Sequence, residues 1–94
     1  MHDLPEFEPP IHYRPSVAAV LLEHGVAPGE NAQPRVAYRF LRAVYTFEIR
    51  ERKARRRELE RFFGPQPLAD YERQITELRA KYFLLREPLG SWIE

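Results

Sequence analysis

PRVAYRFLRAVYTFEIRERKARRRELERFF (Pro34–Phe63), GPQ (Gly64–Gln66) and PLADYERQITELRAKYFLLR (Pro67–Arg86) together decide the fold. In the first segment Val36, Ala37, Phe40, Leu41, Val44 and Phe47 recur at three- and four-residue spacing, the period of one helical face. Tyr45, Phe47 and Ile49 alternate as a strand would, but the continuous register from Val36 onward and the helix formers that follow outweigh them. The same register carries on to Ala54, Leu59 and Phe62, with Glu51, Arg55 and Glu58 breaking the stripe between. The pattern is a long helix with two apolar ends and a polar waist. In the last segment Leu68, Tyr71, Ile75, Leu78, Tyr82 and Leu85 alternate spacings of three and four, a coiled-coil-like seam, and Phe83 and Leu84 widen it.

Gly64-Pro65 separates the two: Gly for a left-handed C-terminal position and Pro as breaker. Pro34 and Pro67 suit first turns, where a missing N–H is harmless, and Asp70 complements the helix dipole. At about 1.5 Å per residue the helices over 34–63 and 67–86 are roughly 45 Å and 30 Å long. So short a loop predicts an antiparallel hairpin. Counted outward from the turn, Phe62 meets Leu68 and Leu59 meets Tyr71. Ile75 and Leu78 then fall near Arg55 and Arg52, and Val44 and Leu41 near Tyr82 and Leu85.

Before the hairpin the pattern is weaker. Pro5, Pro9, Pro10 and Pro15 forbid a helix over residues 1–15 and favour an extended arm, interrupted by Leu4, Phe7, Ile11 and Tyr13. Such an arm lies along its own helices or docks on a neighbour. Ser16 reads as the N-cap of a short helix over 16–24, with Val17, Val20 and Leu21 on one side and Gly25 ending it. Val26 to Gln33 holds Pro28, Gly29 and Asn31 and reads as a loop. Beyond Glu87-Pro88, which ends the last helix, a tail carries Leu89, Trp92 and Ile93. The expected fold is all-α: the arm (1–15), then one helical domain (16–94).

The chain has 94 residues, no cysteine and a formal net charge of +1. No disulfide or thiolate metal site is available, and the charge balance alone points to no acidic partner. There is no apolar run long enough to span a membrane. The acidic, Pro-rich start, Met1 to Pro10, is unlike a signal peptide, so the expected location is the cytoplasm.

Chemistry-bearing constellations are scarce. His2, His12 and His24 have no metal-ligand companions at helical spacing, so no metal site is expected. Ser16, Thr46, Thr76 and Ser91 lack an obvious activating base, and Glu58 and Glu60 point to different helix faces. Four glycines make no phosphate loop. The expectation is a non-enzyme without a cofactor.

Two features suggest partners. The hairpin carries more apolar surface than its single layer can bury, while domains need at least two packed layers. A second copy or a larger assembly could supply the missing layer, making the chain a homodimeric bundle or an accessory subunit. Phe40, Val44, Phe47, Tyr71, Ile75, Leu78, Tyr82 and Trp92 are the expected contact residues. The runner-up is nucleic-acid binding through Arg50, Arg52, Lys53, Arg55, Arg56 and Arg57, a segment with local charge +5. Against it, these groups spread around the helix, and Glu48–Arg52 and Glu51–Arg55 are spaced as i,i+4 ion pairs. Asp3, Glu6 and Glu8 offer a third use for the basic segment, pairing within the chain or across a dimer.

Overall fold

The computed structural model describes residues 4–94; Asp3 and His2 lie outside them. The protein is all-α, with α1 at Pro15–Glu23, α2 at Pro34–Phe63, α3 at Leu68–Lys81 and 3-10 turns at Phe83–Arg86 and Leu89–Trp92. Among the described residues there is no strand, only an isolated bridge between Tyr13 and Ile93. Two compact units divide the chain: Met1–Arg42 with Leu84–Glu94, and Ala43–Phe83.

The first unit has a closed core. Ile11, Tyr13, Val17, Leu21, Ala37, Leu41, Leu84, Leu89 and Trp92 are all buried, and Trp92 is fully so. The arm belongs to this core through both side chains and backbone. Ile11 N–H donates to the Glu30 carbonyl (2.8 Å) and Arg14 N–H to that of Trp92 (2.9 Å). Glu94 N–H donates to the His12 carbonyl (2.9 Å). Gln33 clasps the backbone of Phe7 from both sides, accepting from its N–H (3.0 Å) and donating to its carbonyl (2.7 Å). The Tyr13 hydroxyl donates to the Ala32 carbonyl. An arm whose prolines remove its own hydrogen-bond donors is thus held by the few N–H groups it retains.

Local signals explain most element ends. Gly25 (φ +79°) closes α1 in a Schellman motif, with Val26 N–H on the Leu21 carbonyl (2.8 Å) and Gly25 N–H on that of Leu22 (3.0 Å). Gly64 (φ +82°) ends α2 and donates to the Glu60 carbonyl (2.9 Å). The start of α1 differs from expectation. Pro15 is its first helical residue, Arg14 is the N-cap without a side-chain hydrogen bond, and Ser16 lies inside the helix. A proline with φ already near the helical value starts the helix two residues earlier than a cap at Ser16 would.

The end of α3 also differs. The helix stops at Lys81 instead of continuing to Arg86, and Tyr82 (φ −105°, ψ 36°) leaves the helical range. A straight helix would keep Tyr82 and Leu85 on one face. The break makes Leu84 the fully buried residue and leaves Leu85 half-buried. Burying a leucine contributes about 1.5–3 kcal/mol, which outweighs one lost helical turn.

In the second unit only Leu78 and Tyr82 are buried. Its residues meet at three places along α2. The Arg56 guanidinium lies over the Tyr71 ring, 4.9 Å from its centre. The Tyr45 and Tyr82 rings are 5.3 Å apart. The Tyr82 hydroxyl donates to the Glu48 carboxylate. Leu59 and Tyr71 line one crevice together.

Candidate interaction surface

The residues expected to contact a partner fall into three groups. Trp92 is a correction: it has no exposed surface, and its ring lies 6.4 Å from that of Tyr38 inside the first unit. Its indole N–H has no acceptor among the described residues, so it is buried for its area and not for a hydrogen bond. Leu78 and Tyr82, 5% and 4% exposed, are likewise corrections, being core residues of the second unit. Val44, Tyr71 and Ile75 are half-buried, while Phe40 and Phe47 are exposed.

The two most exposed large apolar side chains, Phe62 and Phe63, are not among the expected contact residues. Phe62 is 69% exposed, Phe63 is 78% exposed and Leu68 is 54% exposed, all beside the Gly64 turn. Phe62 and Leu68 lie in the apolar stripes, where the count from the turn pairs them with each other. The overlooked signal is Phe63, an apolar residue outside the α2 stripe and next to the cap.

Phe62 and Phe63 form one end of an open groove of about 1170 Å³ between α2 and α3. Ala54, Leu59 and Leu78 supply the rest of its apolar lining. Its charged lining is balanced: Arg52, Arg55 and Lys81 against Glu51, Glu58 and Glu77. Glu51 pairs with Arg52 (3.9 Å) and not with Arg55. Arg55, Glu58 and Glu77 form no ion pair among the described residues.

Two residues of the groove, Arg52 and Lys81, also belong to a polar hub. Glu48, largely buried, accepts from Tyr82 and lies 3.9 Å from Arg52 and 3.7 Å from Lys81. Burial and the Glu48 hydrogen bond, with its negative charge, push the Tyr82 phenol up to about 12, against a smaller opposing effect of Arg52. Burial also raises the Tyr13 phenol.

The basic segment divides into committed and uncommitted groups. Arg52 is held by Glu48 and Glu51, and Arg56 by Glu60 (3.0 Å) and the Tyr71 ring. Arg50, Lys53 and Arg57 are exposed, outside any ion pair among the described residues, and spaced at three and four along α2. That spacing places them on one face. Glu6 is taken by Arg35 (3.3 Å), and Glu8 is exposed.

Among the described residues, no three His, Cys, Asp or Glu side chains gather as a metal site requires. No helix there is long and apolar enough to cross a membrane. The chain matches no known protein family, and no curated protein or solved structure is detectably similar to it. Fold and surface therefore define the molecule as a small all-α protein with an incompletely covered second unit.

Proposed function

We propose that this chain is a non-enzymatic protein-interaction module. In this reading α2 and α3 of the second unit make an antiparallel hairpin. Another chain completes it into a bundle, either as a second copy or as a larger assembly that the chain serves as an accessory subunit. One observation supports the reading above the rest. The second unit buries only two apolar side chains while leaving Phe47, Phe62, Phe63 and Leu68 more than half exposed. Large exposed apolar side chains gathered at one turn, as Phe62, Phe63 and Leu68 are beside Gly64, are the kind of surface that interaction sites use.

The test places a photoreactive amino acid at position 62 of the full chain in living cells, with the exposed position 23 at the end of α1 as control. The expected result is a discrete cross-linked species at 62 and none at 23. A chain that stays uncross-linked at both positions would overturn the reading.

A second reading rests on Arg50, Lys53 and Arg57, whose shared exposed face could follow nucleic-acid phosphates. Three phosphate contacts on duplex DNA give a slope of log affinity against log salt of about −2.7. Fluorescence anisotropy with a labelled duplex at several salt concentrations measures it. Replacing the three residues with Gln should abolish salt-sensitive binding and leave protein cross-linking at position 62 intact.

A further inference from the structure

The groove between α2 and α3 carries information about its occupant in its charges. A nucleic acid or an anionic membrane surface selects a positive lining, whereas this lining holds three positive and three negative groups. Arg55 and Glu58 are both exposed, lie three residues apart on the same helix and border the same apolar strip, yet neither forms an ion pair among the described residues. A two-fold contact is isologous: residue i meets residue j, and j meets i. A patch with an unsatisfied cation and an unsatisfied anion side by side is complementary to its own rotated copy.

We infer that the occupant of this groove is a second copy of the chain. It crosses with α2 antiparallel to α2, so that Arg55 of each copy meets Glu58 of the other. The inference rests on the protein-interaction reading above and names the partner. The same register sets Ala54 opposite Leu59 of the other copy. Small against large is the arrangement that lets facing helices interdigitate. Phe62, at the end of the groove, then faces Glu51 of the other copy. Each copy provides one layer of two helices, and together they make a four-helix arrangement.

The charge pattern gives the experiment. R55E leaves Glu facing Glu at both ends of the contact, and E58R leaves Arg facing Arg. Each should weaken the dimer by roughly tenfold or more, since like charges replace two attractive pairs. Mixing R55E with E58R recreates both pairs between unlike chains, and the double variant R55E/E58R recreates them within one species. Sedimentation equilibrium on the full-length chain reads association. Native mass spectrometry with one partner mass-tagged reads the mixed species, and circular dichroism checks helix content.

The expected result is a wild-type dimer, weakened single variants, a 1:1 mixed dimer of near wild-type affinity and a restored double variant. If one single variant fails to fold, the double variant still carries the test. A folded wild-type monomer at all accessible concentrations would overturn the inference. Discrete cross-linking at position 62 to a different chain would then leave the protein-interaction reading standing. A wild-type dimer indifferent to R55E and E58R, or a mixture that does not recombine, would also overturn it, because the register is then wrong. Loss of association together with no cross-link at position 62 would remove both readings.

Discussion

The two units differ in how many separate segments build them, and this explains the difference in their cores. The first unit gathers the arm, α1, the start of α2 and the C-terminal turns, and among the described residues buries Pro34 and nine hydrophobic side chains. The second has only the remainder of α2 with α3, and buries two. Two helices share a single seam, and everything off that seam faces water unless another layer arrives. Four segments from distant parts of the chain supply their own layers. Stability and interaction potential should therefore separate along the chain.

The largest effect should come from Trp92. Trp92→Ala removes a fully buried indole, and core truncations of this size cost about 3–5 kcal/mol. Trp92→Phe should cost less, because the indole N–H has no acceptor among the described residues to lose. At protein concentrations low enough to keep the chain monomeric, Phe63→Ser should change stability by less than about 0.5 kcal/mol. Chemical denaturation of the three variants measures the contrast. A Phe63→Ser penalty as large as that of Trp92→Ala would erase the distinction between the units.

Next comes the polar hub of the second unit. Tyr82→Phe removes a hydrogen bond to a carboxylate that remains surrounded by Arg52 and Lys81, and should cost about 1.5–3 kcal/mol at neutral pH. The contribution has a definite pH dependence. The folded phenol titrates near 12 and the unfolded one near 10.0. The folded chain therefore holds this proton more tightly, and the stabilisation is complete below pH 10. It declines as pH rises from about 10 to 12, by at most about 1.4 kcal/mol per pH unit. Tyr13, raised by burial in the first unit, adds a decline of the same sign. Denaturation midpoints from pH 8 to 11.5 should fall less steeply in Tyr82→Phe than in wild type. Tyr13→Phe should also make the fall shallower, which assigns one contribution to each unit.

Native-state hydrogen exchange sharpens the comparison further. Amides of α3 pack on a seam with two buried side chains and should exchange through local opening. Those around Leu21 and Leu41 should exchange only on global unfolding. Equal protection in both regions of the monomer would mean that the second unit does not need an added layer.

How legible this was in the sequence depended on range. Pro34, Gly64 and the three-four spacing between them act within a few residues, and α2 begins and ends where they place it. Gly25 likewise closes α1. Contacts between distant segments were not readable. Nothing around Trp92 announces that Tyr38 waits for it, and nothing after Lys81 announces that Leu84 will be buried in place of Leu85. The Glu48–Arg52 pair was visible as an i,i+4 spacing, but the Tyr82 hydroxyl that joins it comes from 34 residues away. For the groove, the periodic stripe pointed to the α2–α3 side. It named Leu78 and Tyr82, which the seam consumes, and passed over Phe63, which the cap leaves outside.

The smallest predicted effect tests whether the arm is held by charge or by its backbone. Glu6 and Arg35 are 3.3 Å apart, but the Glu6 side chain is 60% exposed. An exposed pair of this kind contributes about 0–1 kcal/mol and is screened by salt. Glu6→Gln should therefore move the thermal midpoint very little, and less still at high salt. Gln33→Ala removes both hydrogen bonds to Phe7 and leaves two half-buried backbone groups without partners, so it should cost more. If Glu6→Gln proved the costlier change, the arm would be fastened electrostatically. The first unit would then owe part of its closure to ionic strength, which the hydrogen-bonded clasp at Gln33 does not require.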